Sequence, residues 1–390
     1  MTIVVRSPGI APLFACAAFM LVAACADSPT EPPAGLRLEQ IAAGYFHTCG
    51  LDLTGRAFCW GGNVFGTLGD GAHVQREQPT PVNGNLIYTQ LSAGAAHNCA
   101  LSANGSARCW GHNDEGQLGD GTFTDRSVPT AVSGSLTFTS VSAGHAHSCA
   151  LTSAGAAYCW GDDTRGQLGN GSEGLTRSPT PVRVPFEGIW QQVVAGYYQS
   201  CGLTTAGAAY CWGGGESGQN GDSTYNDNHE PARVAGAHRF ERLALGDRFV
   251  CGLSNGDVWC WGANRYGELA RAADDGVNVP VRVNGVAGAT DITLSMGTST
   301  IGSATAYACA VLSDDRLFCW GGAIGVLRAG NFQPSALGGT LRARDVAAGA
   351  LHLCIIATTR NAYCGGGNNA GQLGDGTASA RNEFVAVSEP

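Results

Sequence analysis

Short apolar and β-branched stretches recur along the chain, and glycine-rich or polar segments separate them. In the third repeat, residues 129–132, 138–141, 148–151 and 157–161 are each typical of a strand. None of these stretches exceeds about six residues, the usual length of a strand in a globular protein. Four short strands per repeat match the blade of a β-propeller, so the pattern predicts an all-β chain.

The cysteines mark the period of the repeat. Once Cys16 and Cys25 are set aside, the other fourteen form seven pairs: Cys49 with Cys59, Cys99 with Cys109, Cys149 with Cys159, Cys201 with Cys211, Cys251 with Cys260, Cys309 with Cys319, and Cys354 with Cys364. The first members of successive pairs are separated by 50, 50, 52, 50, 58 and 45 residues, a period typical of repeat arrays. We therefore expect a seven-bladed β-propeller with four-stranded blades.

The spacing within each pair predicts a disulfide across a hairpin. The two cysteines are ten residues apart in six pairs, and nine apart around Asn255-Gly256 in the fifth. Asn-Gly is preferred in two-residue hairpin turns, and opposed residues of antiparallel strands lie about 4.5–5.5 Å apart, within reach of a disulfide. The alternatives are reduced thiols and zinc. Zinc favours four ligands at Cys-x-x-Cys-like spacing, which these pairs lack.

The two ends of the chain indicate how the array closes. The first repeat lacks a proline-led strand before residues 41–44, and the last repeat has an additional strand at residues 384–387. We therefore expect the C-terminal strand to complete the first blade and close the ring, which removes the exposed sheet edges of an open array. An open β-solenoid is the alternative.

The N-terminal segment is typical of an exported protein. Residues 1–24 carry one positive charge, Arg6, and an apolar stretch from residue 10 to residue 24, as a secretory signal does. Residues 22–25, Val-Ala-Ala-Cys, are similar to the lipobox of bacterial lipoproteins, in which the cysteine carries the lipid. We expect lipidation at Cys25, a proline-rich tether over residues 25–35 and a folded domain over residues 36–390. Cleavage after Ala26, followed by secretion, is the alternative.

Composition and charge exclude several classes of function. The chain has 58 glycines, no lysine, 14% charged residues and a formal net charge of −9. Nucleic-acid binding needs a basic face, so we expect no nucleic-acid partner. No phosphate-binding glycine motif lies between a strand and a helix, so we expect no cofactor. Paired cysteines are not available as nucleophiles, and no Ser/His/Asp arrangement can be inferred.

Several motifs carry a resemblance to a known family. Residues 147–161, His-Ser-Cys-Ala-Leu-Thr-Ser-Ala-Gly-Ala-Ala-Tyr-Cys-Trp-Gly, precede Gly-Gln-Leu-Gly-Asn-Gly at residues 166–171, and related stretches lie at 109–122 and 371–377. This pattern resembles the regulator of chromosome condensation repeat and extends over residues 36–390. The resemblance implies a seven-bladed propeller. Residues 267–270 and 321–324 depart from the motif.

The resemblance implies little about activity. Family members include nucleotide exchange factors for small GTPases, a plant ultraviolet photoreceptor and a secreted bacterial inhibitor of β-lactamases. The photoreceptor's Gly-Trp-Arg-His-Thr motif is replaced here by Gly-Tyr-Phe-His-Thr at residues 44–48. An exported chain does not meet a nuclear GTPase, so we do not expect nucleotide exchange activity on one. The remaining interpretation is a scaffold that presents loops for binding.

Two sets of repeated polar residues suggest either metal binding or a structural role. The first is a histidine two residues before the first cysteine of a repeat: His47, His97, His147 and His352. The second is an Asp or Asn in the glycine-rich loop: Asp70, Asp120, Asn170 and Asp375. Both positions belong to the repeat, and the acidic residues lack the spacing of a calcium loop. We therefore expect hydrogen bonds within the scaffold and no metal.

Departures from the repeat indicate a binding face. The loop before the first cysteine carries seven additional residues in the sixth repeat, between Gly297 and Cys309. Loops at one end of a propeller share a surface, and tyrosine with arginine is typical of binding hot spots. Large residues of this loop in other repeats are Tyr45, Phe46, Tyr197, Tyr198, Asp247, Arg248 and Phe249. We expect these residues to bind a partner; an ordinary exposed rim is the alternative.

Together these patterns favour a non-catalytic scaffold in the bacterial cell envelope. We expect a monomer that reaches the membrane only through its lipid anchor and presents loops to a protein or carbohydrate partner. The alternatives are a secreted inhibitor of a cell-wall or β-lactamase-type enzyme, and a propeller enzyme. An enzyme would need unrepeated polar residues to converge on the axial channel, and Asp247, Asp291 and His229 are the candidates.

Overall fold

The computed structural model describes residues 35–174, 176–297, 306–322 and 331–390. The predicted signal segment 1–24, the predicted lipidation residue Cys25 and the tether up to residue 34 lie outside these ranges. Within them every regular element is a β-strand, and 28 strands form seven four-stranded sheets. No helix in the described ranges is long and apolar enough to span a bilayer.

The first four blades follow one another in chain order. Blade one contains β1 (Leu38–Ala43), β2 (His47–Asp52), β3 (Ala57–Gly61) and β4 (Arg76–Pro81). Blade two contains β5 (Gln90–Ala93), β6 (His97–Leu101), β7 (Ala107–Gly111) and β8 (Arg126–Ala131). Blade three contains β9 (Ser140–Ala143), β10 (His147–Leu151), β11 (Ala157–Asp162) and β12 (Arg177–Arg183). Blade four contains β13 (Trp190–Ala195), β14 (Gln199–Thr204), β15 (Ala209–Gly213) and β16 (Asn228–Arg233).

The remaining three blades have the same organisation. Blade five contains β17 (Arg242–Leu245), β18 (Phe249–Ser254), β19 (Asp257–Asn264) and β20 (Asp274–Ala287). Blade six contains β21 (Ala289–Leu294), β22 (Tyr307–Leu312), β23 (Leu317–Gly321) and β24 (Asn331–Leu337). Blade seven contains β25 (Ala343–Ala348), β26 (His352–Ala357), β27 (Ala362–Gly366) and β28 (Arg381–Ala386).

The blades surround a central axis. Within each blade, strands that are consecutive in the chain pair antiparallel, and the first and fourth strands are the two edges of the sheet. The first strands of all seven blades line a central cavity of about 310 Å³, so the fourth strands form the outer rim. This arrangement confirms the predicted seven-bladed β-propeller with four-stranded blades.

The blade boundaries differ from the predicted repeat by one strand. The proline-led strand that was expected to begin a repeat is the outer strand of the preceding blade: in β8, Thr130 pairs with Cys109 of β7. By the same register, Val385 of β28 pairs with Cys364. The C-terminal strand therefore belongs to blade seven and does not complete the first blade, which has its own fourth strand. A periodic sequence can be divided at any strand and give the same pattern, so periodicity alone does not locate the boundary.

The ring closes where the two ends of the described domain meet. Leu36 N–H donates to the carbonyl of Val387, and Ala362 N–H donates to the carbonyl of Leu36, both at 2.9 Å. Leu36, Leu38 and Val387 are buried in one hydrophobic cluster with residues of blade seven. The segment that precedes β1 thus holds blade one against blade seven.

The seven predicted disulfides are confirmed, one in each blade. Each bridge joins directly opposed residues of the second and third strands, with Cα atoms 4.0 to 4.1 Å apart. In order of blades, the bridges join Cys49 to Cys59, Cys99 to Cys109, Cys149 to Cys159, Cys201 to Cys211, Cys251 to Cys260, Cys309 to Cys319, and Cys354 to Cys364. All fourteen cysteines are fully buried, so each bridge cross-links two strands within the core of its blade. None of these cysteines is left as a free thiol or a zinc ligand, the two alternatives that the sequence left open.

The shorter spacing of the fifth pair has the predicted cause. Cys251 and Cys260 are nine residues apart, and Asn255 and Gly256 between them have φ angles of 52° and 77°. Two consecutive left-handed residues are the geometry of the predicted two-residue turn. The shorter turn therefore keeps the two cysteines opposite each other.

Each tryptophan that follows the second cysteine joins its blade to the preceding one. The indole N–H donates to a backbone carbonyl in the glycine-rich loop of that preceding blade, at distances of 2.7 to 3.0 Å. The pairs are Trp60 with Gln372, Trp110 with Thr67, Trp160 with Gln117, Trp212 with Gln167, Trp261 with Gln219 and Trp320 with Glu268. The tryptophans are therefore structural.

The repeated histidines continue this network between blades. Ser148 Oγ donates to the Gln117 carbonyl at 2.9 Å and accepts from His97 Nε2, also at 2.9 Å. His47 donates to Asn98, His147 to Ser200 and His352 to Thr48 in the same way. Burial lowers the pKa of His47 to about 4 and that of His147 and His352 to about 3, so these rings are neutral. The structural role expected for the histidines is confirmed.

The Gln117 carbonyl accepts two donors, which predicts a specific coupling between them. After either Trp160→Phe or Ser148→Ala, the Gln117 carbonyl still accepts one hydrogen bond. We therefore expect Trp160→Phe alone to lower the free energy of unfolding by about 1 kcal/mol. The double variant leaves a buried carbonyl without a partner, and its loss should exceed the sum of the single losses by about 1–2 kcal/mol. Denaturant unfolding of the four proteins measures this coupling. Trp160→Phe combined with Ser200→Ala, which serves a different carbonyl, should be additive; equal coupling in both pairs would contradict the prediction.

Candidate functional site

Loops at one end of the propeller form a single face. Within a blade, the loop after the first strand contacts the loop after the third: Gly62 N–H donates to the Phe46 carbonyl at 2.6 Å, and His112 N–H to the Ala96 carbonyl at 2.9 Å. We call this end the loop face. The opposite end, which carries the hairpin turns between second and third strands, is the turn face. Six of the seven predicted binding residues lie in loops of the loop face, and Phe249 begins the strand β18.

Tyr45 and Tyr197 converge over the axis instead of pointing outward. The Tyr45 hydroxyl donates to the carbonyl of Met296 at 3.2 Å, which links blade one to blade six. His145 of blade three stacks on Tyr197 with ring centroids 4.0 Å apart and planes 15° apart. Burial raises the pKa of Tyr45 well above its usual value and lowers that of His145 to about 4. The rings of Tyr45, His145 and Tyr197 therefore pack together at the loop-face end of the channel.

Tyr198 is the centre of a partly exposed charged cluster. The guanidinium carbons of Arg165 and Arg248 lie 5.9 and 5.8 Å from the centroid of its ring, within cation–π range. Glu216 accepts from both arginines, at 3.2 Å from Arg165 and 3.1 Å from Arg248. Asp227 pairs with Arg165 at 3.2 Å. We call these five residues the Tyr198 patch.

The other predicted residues have different environments. Phe249 has no exposed surface and occupies the position held by histidine in four blades, so its expected role in binding is wrong. Asp247 is largely buried, and burial raises the pKa of its carboxyl to about 6. Phe46 is 38% exposed and stands beside Tyr45. Most of the insertion in blade six, residues 298–305, lies outside the described residues.

Side chains bridge the innermost strands around the channel. Gln40 donates through its amide to the Leu91 carbonyl and accepts from the Leu91 N–H, both at 2.9 Å. Gln90 and Gln192 make the same pair of bonds to Val141 and Leu243. Each side-chain amide thus makes the two hydrogen bonds that a neighbouring strand would make, between inner strands that do not pair through their backbones.

Charged residues hold the equivalent position in blades five to seven. Asp291 pairs with Arg242 at 3.0 Å, and Asp345 accepts from the backbone N–H groups of Ile41 and Val346. Burial, and then the neighbouring Asp291, raises the pKa of Asp345 to about 6. The candidates for an enzyme therefore do not come together as a group: Asp291 lies on the inner strand β21, Asp247 lies in a loop and His229 lies on the outer strand β16.

The glycine-rich loops are held by their own acidic residues, as expected. Asp120 accepts from the Thr122 N–H at 2.9 Å and from Arg126 Nε at 2.7 Å. Asp70 and Asp375 make equivalent bonds, and Asn170 accepts from the Ser172 N–H. Among the residues that the structure describes, no group of three or more His, Cys, Asp or Glu side chains is arranged to hold a metal ion.

Sequence reasoning missed several members of the site. Arg165 and Glu216 come from glycine-rich loops of blades three and four, and they meet Tyr198 only because neighbouring loops pack together. His145 was detectable, since it holds the position of Tyr45 and Tyr197 in its own repeat. Asp345 was detectable, since alignment of the repeats places it in register with Gln40 and Asp291.

Two family models match the chain, both described as Regulator of chromosome condensation (RCC1) repeat. One matches residues 54–101, 104–151, 154–203 and 255–298, and the other matches residues 39–67, 88–117, 138–167 and 190–219. Together the two cover more than half of the 390 residues. Both models describe the repeat recognised from the motifs.

Curated relatives match part of the chain. It is 30% identical over 210 residues to the E3 ubiquitin-protein ligase HERC2 of Homo sapiens, a match that covers 50% of this chain and 4% of the ligase. It is 28% identical over 208 residues to the Ultraviolet-B receptor UVR8 of Arabidopsis thaliana, which covers 50% of this chain and 46% of the receptor. The matches therefore span less than half the length of either relative.

Solved structures share the fold over most of the chain. Human WBSCR16 has a TM-score of 0.76 and 22% identity, with 86% of this chain and 94% of that chain covered. Prp20p from Saccharomyces cerevisiae has a TM-score of 0.68 and 20% identity, with 80% of each chain covered. At these identities the likeness shows the fold alone.

Glu268 gives the loop face a predicted pH dependence. It is 1% exposed and replaces the glutamine of four other blades, Gln117, Gln167, Gln219 and Gln372. Burial raises its pKa to about 7. The pKa of this carboxyl is higher in the folded chain than in the unfolded chain. At low pH the protonated group therefore costs little, and the fold loses stability progressively as pH rises from about 4.5 to 7. Glu268→Gln should therefore increase the free energy of unfolding by about 3 kcal/mol at pH 8 and little at pH 4.

Denaturant unfolding at the two pH values tests this prediction. Glu187→Gln makes the same chemical change at an exposed residue and controls for the loss of one negative charge. An equal effect of Glu268→Gln at pH 4 and pH 8 would contradict the proposed cost of the buried carboxylate.

Proposed function

Because the chain belongs to the regulator of chromosome condensation (RCC1) repeat family, we propose that it is a non-catalytic scaffold that binds a protein partner through the Tyr198 patch. The observation that carries this proposal is that two arginines and their carboxylate partners surround the ring of Tyr198 on the loop face, where their side chains are partly exposed. Arg165 and Glu216 are 38% and 42% exposed. Tyrosine and arginine are enriched among the residues that dominate binding energy at protein interfaces.

The chemistry of the patch favours a protein over a carbohydrate. Carbohydrate recognition commonly stacks a sugar ring on a free aromatic face, but the ring of Tyr198 is approached by two guanidinium groups. Alternating positive and negative groups instead match the charged side chains of a protein surface. Yeast RCC1 (Prp20), a propeller of similar fold, has been solved bound to Kap60, so the fold supports protein binding in at least one relative.

Non-catalytic action is supported by the bonds that two carboxylates of the inner strands make. Asp291 and Asp345 occupy the position at which glutamines bridge neighbouring inner strands, and each is bonded to an adjacent blade. Their bonds to Arg242 and Ile41 hold the ring together. A structural task accounts for both groups without a reaction.

We further propose that the protein is exported to the bacterial cell envelope and anchored there by lipid at Cys25. The sequence of residues 22–25 supports lipidation, and seven buried disulfides suit an oxidising compartment. In this proposal residues 25–35 link the lipid to the propeller. A partner that is itself a cell-wall enzyme would make the protein an inhibitor.

The Tyr198 patch should determine capture of the partner. With the mature chain as bait in envelope extracts, we expect Tyr198→Ala and Arg248→Ala each to reduce the captured protein at least about tenfold, the effect of losing a hot-spot residue. Leu53→Ala is the control, because Leu53 is 48% exposed on the turn face. Thermal unfolding checks that the variants are folded. Equal capture by the wild type and both patch variants would exclude this site.

Cys25 should determine attachment to the membrane. In a bacterial host supplied with a labelled fatty acid, the wild-type chain should incorporate label and sediment with membranes. Cys25→Ser removes the acceptor thiol, so the variant should remain unlabelled and soluble. Cys16→Ser changes a cysteine in the predicted signal segment and is the control. Label retained by Cys25→Ser would contradict the proposed anchor.

A further inference from the structure

One position of the inner strand holds the bridge to the next blade, and its residue type changes in blade seven. In three blades this residue is Gln40, Gln90 or Gln192, and each side-chain amide both accepts from a backbone N–H and donates to the carbonyl of the same residue, as Gln40 does with Leu91. In blade seven the equivalent residue is Asp345. An ionised carboxylate accepts hydrogen bonds and donates none. The bridge from blade seven to blade one is therefore incomplete while Asp345 is ionised.

The geometry around Asp345 shows this incomplete bridge. Ile41 N–H donates to Asp345 Oδ2 at 3.4 Å, whereas the N–H groups that donate to the bridging glutamines lie at 2.9 to 3.0 Å. Ile41 pairs with Gly50 in the register in which Leu91 pairs with Ala100. The N–H and C=O of one residue in an antiparallel strand point to the same side, so the Ile41 carbonyl also faces blade seven. An ionised Asp345 offers this carbonyl no proton.

The incomplete bridge lies where the ring closes. Blade seven and blade one also meet through the backbone bond from Leu36 N–H to the Val387 carbonyl and through the indole of Trp60, which donates to the Gln372 carbonyl. Asp345 lines the central cavity of about 310 Å³. A proton can therefore reach Asp345 from solvent in the channel without opening a blade.

We propose that Asp345 is a pH-sensitive latch between blades seven and one, closed when its Oδ2 is protonated and donates to the Ile41 carbonyl. The proton comes from solvent, and no other group is consumed. A carboxylic acid hydroxyl also accepts, so Oδ2 can keep the Ile41 N–H, and Oδ1 keeps the Val346 N–H that donates to it at 2.9 Å. The protonated side chain then makes both bonds of a bridging glutamine. This latch does not depend on the function of the Tyr198 patch.

The nearest charges place the change of state in a mildly acidic range. Asp291 of β21 is paired with Arg242 of β17 at 3.0 Å. Burial, and then Asp291, raises the pKa of Asp345 to about 6. This pKa is higher than that of an aspartate in an open, solvated junction, about 3.9. The stabilisation from the latch is therefore complete below about pH 4 and is lost as pH rises through about 6.

The other strands packed against β25 carry few titratable groups. Glu39 of β1 is paired with Arg344 and Arg360. Burial raises the pKa of Tyr307 in β22 well above its usual value and lowers that of His352 in β26 to about 3. Both rings are therefore neutral across the range in which the latch changes state. Asp345 and its neighbour Asp291 are the groups whose protonation the experiment must separate.

NMR of the backbone amides tests the latch in the mature chain between about pH 4.5 and 8. The Ile41 amide should titrate with a midpoint near pH 6, because its bonding partner changes charge. Its protection against hydrogen exchange, corrected for the intrinsic rate, should fall about tenfold from pH 5 to pH 7.5. The Leu91 amide is the internal control, because it donates to Gln40, which does not titrate. Its shift and its protection should stay constant.

Two variants separate the carboxyl groups. Asp345→Asn supplies a donor at every pH, so the Ile41 amide should neither titrate nor lose protection as pH rises. Asp291→Asn removes the neighbouring negative charge and should move the Ile41 midpoint to lower pH. Unchanged protection of the Leu91 amide shows that the rest of the ring is intact in both variants. A flat Ile41 titration in the wild type, or an equal loss of protection in Asp345→Asn, would overturn the proposal.

Discussion

The propeller depends on a repeated hydrogen bond in which an indole N–H of one blade meets a backbone carbonyl of the blade before it. Each of the six tryptophans involved is at most 1% exposed, so its N–H would be buried without a partner if the blades separated slightly. An unpaired buried donor costs about 1–3 kcal/mol. Because the accepting carbonyl lies in a glycine-rich loop, the same bond that joins two blades also fixes the loops from which the Tyr198 patch is built.

The one interface without this bond is held by a different side chain. Gly365 stands in blade seven where tryptophan would face blade six. There Tyr307, at the histidine position of blade six, places its hydroxyl 2.6 Å from the His352 carbonyl of blade seven. A polar contact between blades is thus kept although both the donor residue and its position have changed. A similar exchange occurs in the glycine-rich loops. Blade two pairs Asn113 with Asp120, whereas blade three has aspartate first and asparagine second, and Asp163 and Asn170 remain hydrogen-bonded.

The sequence predicted contacts within a repeat more reliably than contacts between repeats. The disulfides and the fifth hairpin turn follow from spacing of ten residues or fewer, and all are confirmed. The blade boundary and the location of β28 depend on which strands pair, which a periodic pattern does not specify. Arg165 and Glu216 are 51 residues apart, and no local pattern places them beside Tyr198. Candidate residues were therefore found only where they shared one loop.

Phe249, Phe384 and Tyr198 show how packing separates structural departures from the repeat from functional ones. Phe249 departs from the repeated histidine, but it is fully buried and packs in the core between blades five and six, so packing accounts for it. Phe384 replaces the proline of the other outer strands, and its ring packs against the hydrophobic cluster between blades six and seven. Tyr198 departs where its neighbours are partly exposed charged groups. Packing explains the departures at Phe249 and Phe384 and leaves Tyr198 unexplained. A repeat scaffold can vary a residue for function only where neither the tryptophan bond nor the core already requires it.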